Sequence, residues 1–422
     1  MTAPRVSRRA LLGGSALASL GFLLETRNGR AADTADAPVG VAMPTSNPVL
    51  LCVFLRGAAD GLNVVVPHGE PDYYRLRPSI AVPRPGERGG AIDLDGRFGL
   101  HPRLAPLKAA FDAKELVLVH AAGSPHPTRS HFEAQDYMET AAVGDRSASQ
   151  GWLARYLAAR PPASAGLLRA VAVSSRSPLA LRGYQDAVIA GDLRDFRLST
   201  TGALDSVLSD GFRRLYDAGA TSLAEHAGQR ALAASEVVRK ALGRRRRGGA
   251  PGYPREAQDF ADVARLIKAD VGLETAWLDL GGWDTHRYEG SSDNGELPRQ
   301  LDRLGRALAA FRADLGPAFE RVLVLVMSEF GRTARENGTG GTDHGHGNFM
   351  LLLGGKVQGG RVLGDFPGLG PEQLFQGRDV PVTTDFRDVF AEVCERHLQL
   401  ADASALFPGF QLDKQRRLGF LA

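Results

Sequence analysis

The residues best suited to chemistry are histidines and acids set among glycines. In Gly341-Thr342-Asp343-His344-Gly345-His346 two of the ten histidines flank a single glycine beside an aspartate. A loop this rich in glycine stays ordered more easily when something binds its side chains. Neutral imidazole together with carboxylate suits a divalent ion such as Zn²⁺ or Mn²⁺. Gly281-Gly282-Trp283-Asp284-Thr285-His286 offers the same pair two residues apart. Glu329, in Ser328-Glu329-Phe330-Gly331-Arg332-Thr333, and Asp60, in Arg56-Gly57-Ala58-Ala59-Asp60-Gly61, supply further carboxylates. The metal set read from the sequence is therefore Asp60, Asp284, His286, Glu329, Asp343, His344 and His346. Asp60 could equally close an Asx turn.

Hydroxyls and guanidiniums complete the inventory. A helix is expected to start at Ser130 or His131, and helix N-termini favour anions such as phosphate or sulfate. Ser130, or Thr128 two residues earlier, is the candidate nucleophile once a metal lowers its pKa. Ser130 and Glu133 also have the spacing of a capping box, which would use the hydroxyl structurally. Arg332 or Arg56 would neutralise charge on a substrate anion, and Arg332 could instead pair with Glu329.

Elements must bring these distant residues together. Short Val/Leu-rich runs without alternation, at 49–55, 116–120, 168–173, 276–280, 322–327 and 349–353, predict strands covered on both faces. Helical patterns at 104–111, 131–140 and 297–315 lie between them. Phe386, Val389, Phe390 and Val393 add a stripe entered through the capping candidates Thr384 and Asp385. Strands alternating with helices predict an α/β domain with a mostly parallel sheet sandwiched by helices. Four of the five motifs follow strand C-termini, which in a parallel sheet share one edge. Residues 200–270 are Ala-, Leu- and Arg-rich and predict a helical insertion. Its break at Arg244-Arg245-Arg246-Arg247 reads as a solvated loop rather than an anionic-surface site.

Composition bounds the class. The 422 residues are 43% apolar and 23% charged, with a formal net charge of +3 that argues for no nucleic-acid surface. Cys52 and Cys394 sit in apolar stretches and read as buried free thiols. Ser7-Arg8-Arg9-Ala10-Leu11-Leu12 is a twin-arginine pattern. The apolar run after it is shorter than the roughly 20 residues of a membrane span. Residues 1–38 thus read as an export signal and linker, leaving 39–422 as the domain and no stable span in the mature protein. The twin-arginine export machinery is the expected partner, and the periplasm or the exterior the expected location. Nucleotide-phosphate loop, His-Glu-x-x-His, Gly-x-Ser-x-Gly and dinucleotide fingerprint are all missing.

From about residue 50 onward, Leu55 to Asn63, Ser130-His131-Phe132, Gly282 to His286, Met327 to Thr333 and Gly341 to His344 resemble domain-of-unknown-function family 1501. The resemblance implies the alkaline phosphatase and sulfatase superfamily, whose members use a metal-held nucleophile on phosphate or sulfate esters. It implies an exported metal-dependent ester hydrolase, acting on a small-molecule or polymeric ester with Zn, Mn, Ca or Mg. The alternative is an exported, non-catalytic binding or assembly protein that retains the fold. Carried over by position, the first-strand Asp is Asp60, one metal position takes Asp284 and His286, and the last histidine is His346 or His344. The family's Asp-His pair at a strand end is replaced here by Glu329-Phe330, with Glu329 standing for the Asp and the His place open to His344.

Overall fold

Seven consecutive apolar residues, Val-Leu-Leu-Cys-Val-Phe-Leu, form β1 (Val49–Leu55), and every one is buried. A strand buried on both faces needs a layer on each side, and the computed structural model supplies both. It describes residues 47–160, 166–196, 211, 223–243, 250 and 252–422. The export-signal segment 1–38 and the arginine run 244–247 lie outside the described residues.

The other strands of the main sheet are β2 (Leu116–Gly123), β3 (Ala170–Val173), β4 (Val188–Ala190), β5 (Thr275–Leu280), β6 (Val322–Met327), β7 (Asn348–Gly354), β8 (Arg361–Leu363) and β9 (Thr384–Asp385). Their order is β8-β2-β7-β6-β1-β5-β3-β4, with β9 also on β2. All pairings are parallel except those of β7, which runs against both β2 and β6. The expected α/β architecture with a mostly parallel sheet is the one observed.

Alternate side chains of β1 enter two separate cores. Leu51 and Val53 join Phe260, Ile267, Leu301 and Leu308 on one face. Leu50, Cys52 and Phe54 join Trp152, Phe386 and Phe390 on the other. The helices responsible are α4 (Gln258–Lys268) and α5 (Glu296–Leu315) on the first face, and α2 (Trp152–Ala159) and α6 (Phe386–Glu392) on the second. Earlier in the chain lie α1 (His131–Thr140) and, before α4, α3 (Leu223–Leu242). Helix α4, read from sequence as part of an insertion, thus belongs to a main layer. Helix α6 starts as expected, with the Asp385 side chain accepting from the Arg387 amide at 2.9 Å.

The helix expected over 104–111 is divided. A 3₁₀ stretch (Pro102–Leu107) precedes an α-helical turn (Lys108–Asp112). Pro106 lacks the N–H that a continuous α-ladder would use there. Both cysteines are free and buried, as expected. Among the described residues no helix is long and apolar enough to cross a membrane.

Candidate metal centre

The C-termini of β1, β2, β5 and β6 lie at one sheet edge because these strands share a direction. Strand β7 runs the opposite way, so the loop before it, carrying Asp343, His344 and His346, reaches that edge as well. Close approach of β1 and β5 depends on Gly57. Its φ is +120°, and a Cβ there would fall 2.5 Å from the Asp284 amide nitrogen, so only glycine fits.

Three imidazoles and a carboxylate meet at this edge. His131 Nε2 lies 3.0 Å from His344 Nε2, and His286 Nε2 approaches the same atom to 2.9 Å. Asp284 Oδ1 is 3.3 Å from His344 Nε2 and 3.1 Å from His286 Nε2, while its Oδ2 is 3.6 Å from His131 Nε2. Ligand atoms of His131, Asp284 and His344 all lie within 4.8 Å of one another, with His286 flanking the set.

Each ring is fixed from behind. His131 Nδ1 donates to Glu329 Oε1 at 2.8 Å, His286 Nδ1 to Asp343 Oδ1 at 3.2 Å, and His344 Nδ1 to the Arg129 carbonyl at 2.9 Å. When each ring is neutral with its proton on Nδ1, all three Nε2 atoms present lone pairs to one another. Lone pairs at such distances repel unless a proton or a metal ion lies between them. Nitrogens bound to one ion at roughly 2.0–2.1 Å stand roughly 3.3 Å apart in a tetrahedron, close to the spacings here. An acceptor behind each ligating imidazole is also how metal sites set tautomer and ring orientation. The residues present fit a divalent ion. Nitrogen-rich donors suit Zn²⁺ or Mn²⁺ better than Ca²⁺ or Mg²⁺.

The charges around the cluster are consistent with this. Burial raises the Asp284 carboxyl, but Arg332 and the imidazoles outweigh it and hold the group below its ordinary value. Glu329 is almost wholly buried, yet donations from His131 and Gln135 and the Gly57 amide keep it ionised below the usual range. The hydrogen bond to Glu329 in turn raises His131.

The structure divides the sequence-derived set. It gathers Asp284, His286 and His344 around the shared point, whereas Glu329 and Asp343 stand behind rings as their acceptors. It adds His131, whose place at a helix start beside a capping signature concealed it. The motif Ser130-His131-Phe132 was the available signal.

Asp60 and His346 lie elsewhere. Asp60 is buried and forms a two-pronged ion pair with Arg77, to Nη1 and, at 2.9 Å, to Nη2. Its carboxylate is thereby taken up by a structural network that also holds Asn63 and Tyr73. His346 stacks on Phe375 with ring centroids 4.3 Å apart, and burial lowers its pKa to about 4.

Arg332 reaches Asp284 Oδ1 at 2.9 Å rather than Glu329. Its side chain is completely buried, its Nε and Nη2 lack partners among the described residues, and it holds Asp284 from beneath. Arg56 is held by Glu139 and Asp279. Thr128 Oγ1 donates to Glu133 Oε2 at 2.5 Å. Ser130 precedes α1 without making the capping hydrogen bond, so the capping box does not form.

A family model described as protein of unknown function (DUF1501) matches residues 113–407. No curated protein matches the chain. Among solved structures, the chain is similar to the lipoteichoic acid synthase LtaP from Listeria monocytogenes, at 8% identity and a TM-score of 0.33, covering 74% of this chain and 66% of that one. A putative sulfatase from Bacteroides thetaiotaomicron gives 10% identity and a TM-score of 0.34, covering 87% and 76%. The phosphonate monoester hydrolase of Agrobacterium radiobacter gives 12% and 0.29, covering 84% and 74%. The chain thus spans just under two thirds of the length of the first.

Proposed function

The chain belongs to the DUF1501 family of proteins of unknown function, and from that premise we propose that it is an exported, metal-dependent hydrolase of phosphate or sulfate esters. One observation carries the reading: three Nε2 atoms converge beside Asp284 while every Nδ1 is tied to an acceptor. A divalent ion at that point would take a lone pair from each ring and the Asp284 carboxylate together.

His131, Asp284 and His344 would hold the ion, with His286 beside them. A divalent ion there supplies Lewis acidity, lowering the pKa of a water or hydroxyl to about 7 and offsetting charge on the ester oxygens. Glu329, Asp343 and the Arg129 carbonyl keep the three rings in the ligating tautomer. Arg332 keeps Asp284 ionised and aimed at the rings. Ser130, next to His131 and with no side-chain hydrogen bond among the described residues, is the attacking hydroxyl in this scheme. The ester leaving group departs opposite to it, the hydroxyl proton passes to water, and a second water then cleaves the Ser130 ester to release phosphate or sulfate.

Elemental analysis of the mature protein exported by its native host is expected to give close to one zinc or manganese per chain, abolished by His344→Ala. Hydrolysis of 4-nitrophenyl phosphate or sulfate should follow metal content and fall at least a hundredfold in Ser130→Ala. Metal without hydrolysis of any ester would favour the exported binding protein. No native metal, and no rise in Tm on adding zinc or manganese, would overturn both the site and the hydrolase. Export is tested separately: Arg8→Lys with Arg9→Lys should trap the precursor inside the cell.

A further inference from the structure

Glu289 is a wholly buried acid that touches none of the cluster's imidazoles. Its Oε2 accepts two hydroxyls at once, from Thr285 Oγ1 at 3.0 Å and from Thr342 Oγ1 at 2.6 Å. Both threonines are buried as well. Thr285 stands between Asp284 and His286 in the loop after β5, and Thr342 directly precedes Asp343 and His344 in the loop before β7. One carboxyl oxygen therefore ties together the two loops that supply Asp284, His286 and His344.

The same loops are in backbone contact. The Thr342 amide donates to the Thr285 carbonyl at 3.2 Å, and a Cβ on Gly341 would fall 2.4 Å from the His286 carbonyl carbon. Glu289 is itself anchored: its N–H donates to the Gly340 carbonyl at 2.9 Å, and its carbonyl accepts from the Leu297 amide in the first turn of α5 at 3.0 Å. A buried carboxyl is a costly way to fill space, and a leucine would fill it at lower cost. A leucine would not hold two hydroxyls at hydrogen-bond distance from one point. On the far side of the group, Oε1 faces Asn63 Nδ2 at 3.5 Å. Burial, and then Asp60, keep the carboxyl protonated, so it can donate towards Asp60 while Oε2 goes on accepting.

We propose that Glu289 is a positioning residue for the metal centre: acting through Thr285 and Thr342, it sets the separation of the Asp284–His286 loop from the His344 loop, and with it the affinity for the ion. The proposal rests on the metal site of the hydrolase reading and is independent of which ester is cleaved.

Glu289→Gln is the conservative variant, since it keeps an oxygen for both hydroxyls and an amide to donate towards Asp60. In competition with a chromogenic chelator, its zinc affinity is expected to stay within about threefold of wild type, whereas Glu289→Met should lose roughly tenfold or more. Thr285→Val combined with Thr342→Val should lose a similar amount, and adding Glu289→Met to that pair should cost little more, because the three groups act as one unit. The valine pair also carries the test where Glu289→Met fails to fold. Hydrogen exchange of the metal-free chain reads the loops without the ion: the segment holding the Thr342 amide should exchange faster in Glu289→Met and at the wild-type rate in Glu289→Gln. Wild-type zinc affinity in both the Met variant and the valine pair, whatever their Tm, would overturn the proposal, as would equal losses in Glu289→Met and Glu289→Gln. The two readings fail separately. A wild-type chain that takes up neither zinc nor manganese sinks the metal centre, while unchanged exchange in Glu289→Met and in the valine pair sinks the role of Glu289 alone.

Discussion

At the scale of single residues, the cluster depends on groups that would never touch the ion. Asp343 is about half exposed and fixes the ring of His286. Asp343→Asn should therefore weaken zinc binding by about tenfold with little change in Tm, as read by competition with a chromogenic chelator. A different balance governs the buried network at Asp60. Arg77 is the cation there, Asp60 is held ionised, and burial together with Asp60 pushes Glu289 well above the carboxylate range. Arg77→Met leaves the ionised, buried Asp60 without its cation and should cost about 3–5 kcal/mol in denaturant unfolding. Asp60→Asn should cost less, because Glu289, hydrogen-bonded by Thr285 and Thr342, can then ionise in its place. Equal losses in the two variants would refute this account. The network also explains why Asp60 was misread as a ligand. A carboxylate after a strand looks the same in sequence whether its cation is an ion or a buried arginine 17 residues on.

At the scale of elements, the strands were the most legible part. Continuous apolar runs give β1 and β6 the bounds expected for them, since burial on both faces forbids polar positions. The reversed direction of β7 was not legible, because nothing in Asn348–Gly354 encodes which way its neighbours run. His131 was missed for a related reason: its acceptor Glu329 lies 198 residues away, beyond any local pattern. The packing of β1 against β5 leads to a further expectation. Gly57→Ala must place a methyl group against the Trp283 and Asp284 backbone at a φ that alanine disfavours. It should cost roughly 1–3 kcal/mol in backbone strain and reduce metal affinity in the same variant, because Asp284 must shift. A variant with lowered Tm but undiminished metal binding would show that the loop moves without its ligand.

At the scale of the whole molecule, the pH dependence of stability contains one separable contribution. Asp388 in α6 is raised to about 6, first by burial and then by Asp385, and its Oδ1 has no hydrogen-bond partner among the described residues. Unfolded, the group titrates at about 3.9, so the folded chain holds the proton more tightly. Its contribution is thus fully present below about pH 4 and is lost as pH rises towards about 6. Asp388→Asn should raise Tm at pH 7, and the difference from wild type should shrink steadily as pH is lowered from 6 to 4. A constant difference across that range would mean that the carboxyl titrates normally.

Strand β7 has one more consequence, for the time course of folding. During synthesis the two imidazoles that meet Nε2 to Nε2, His131 and His344, emerge 213 residues apart, and the second stays out of place until β7 has slotted between β2 and β6. Ion capture would then be the closing event of sheet assembly, and a chain stalled before that insertion would remain metal-blind however well its other strands had paired.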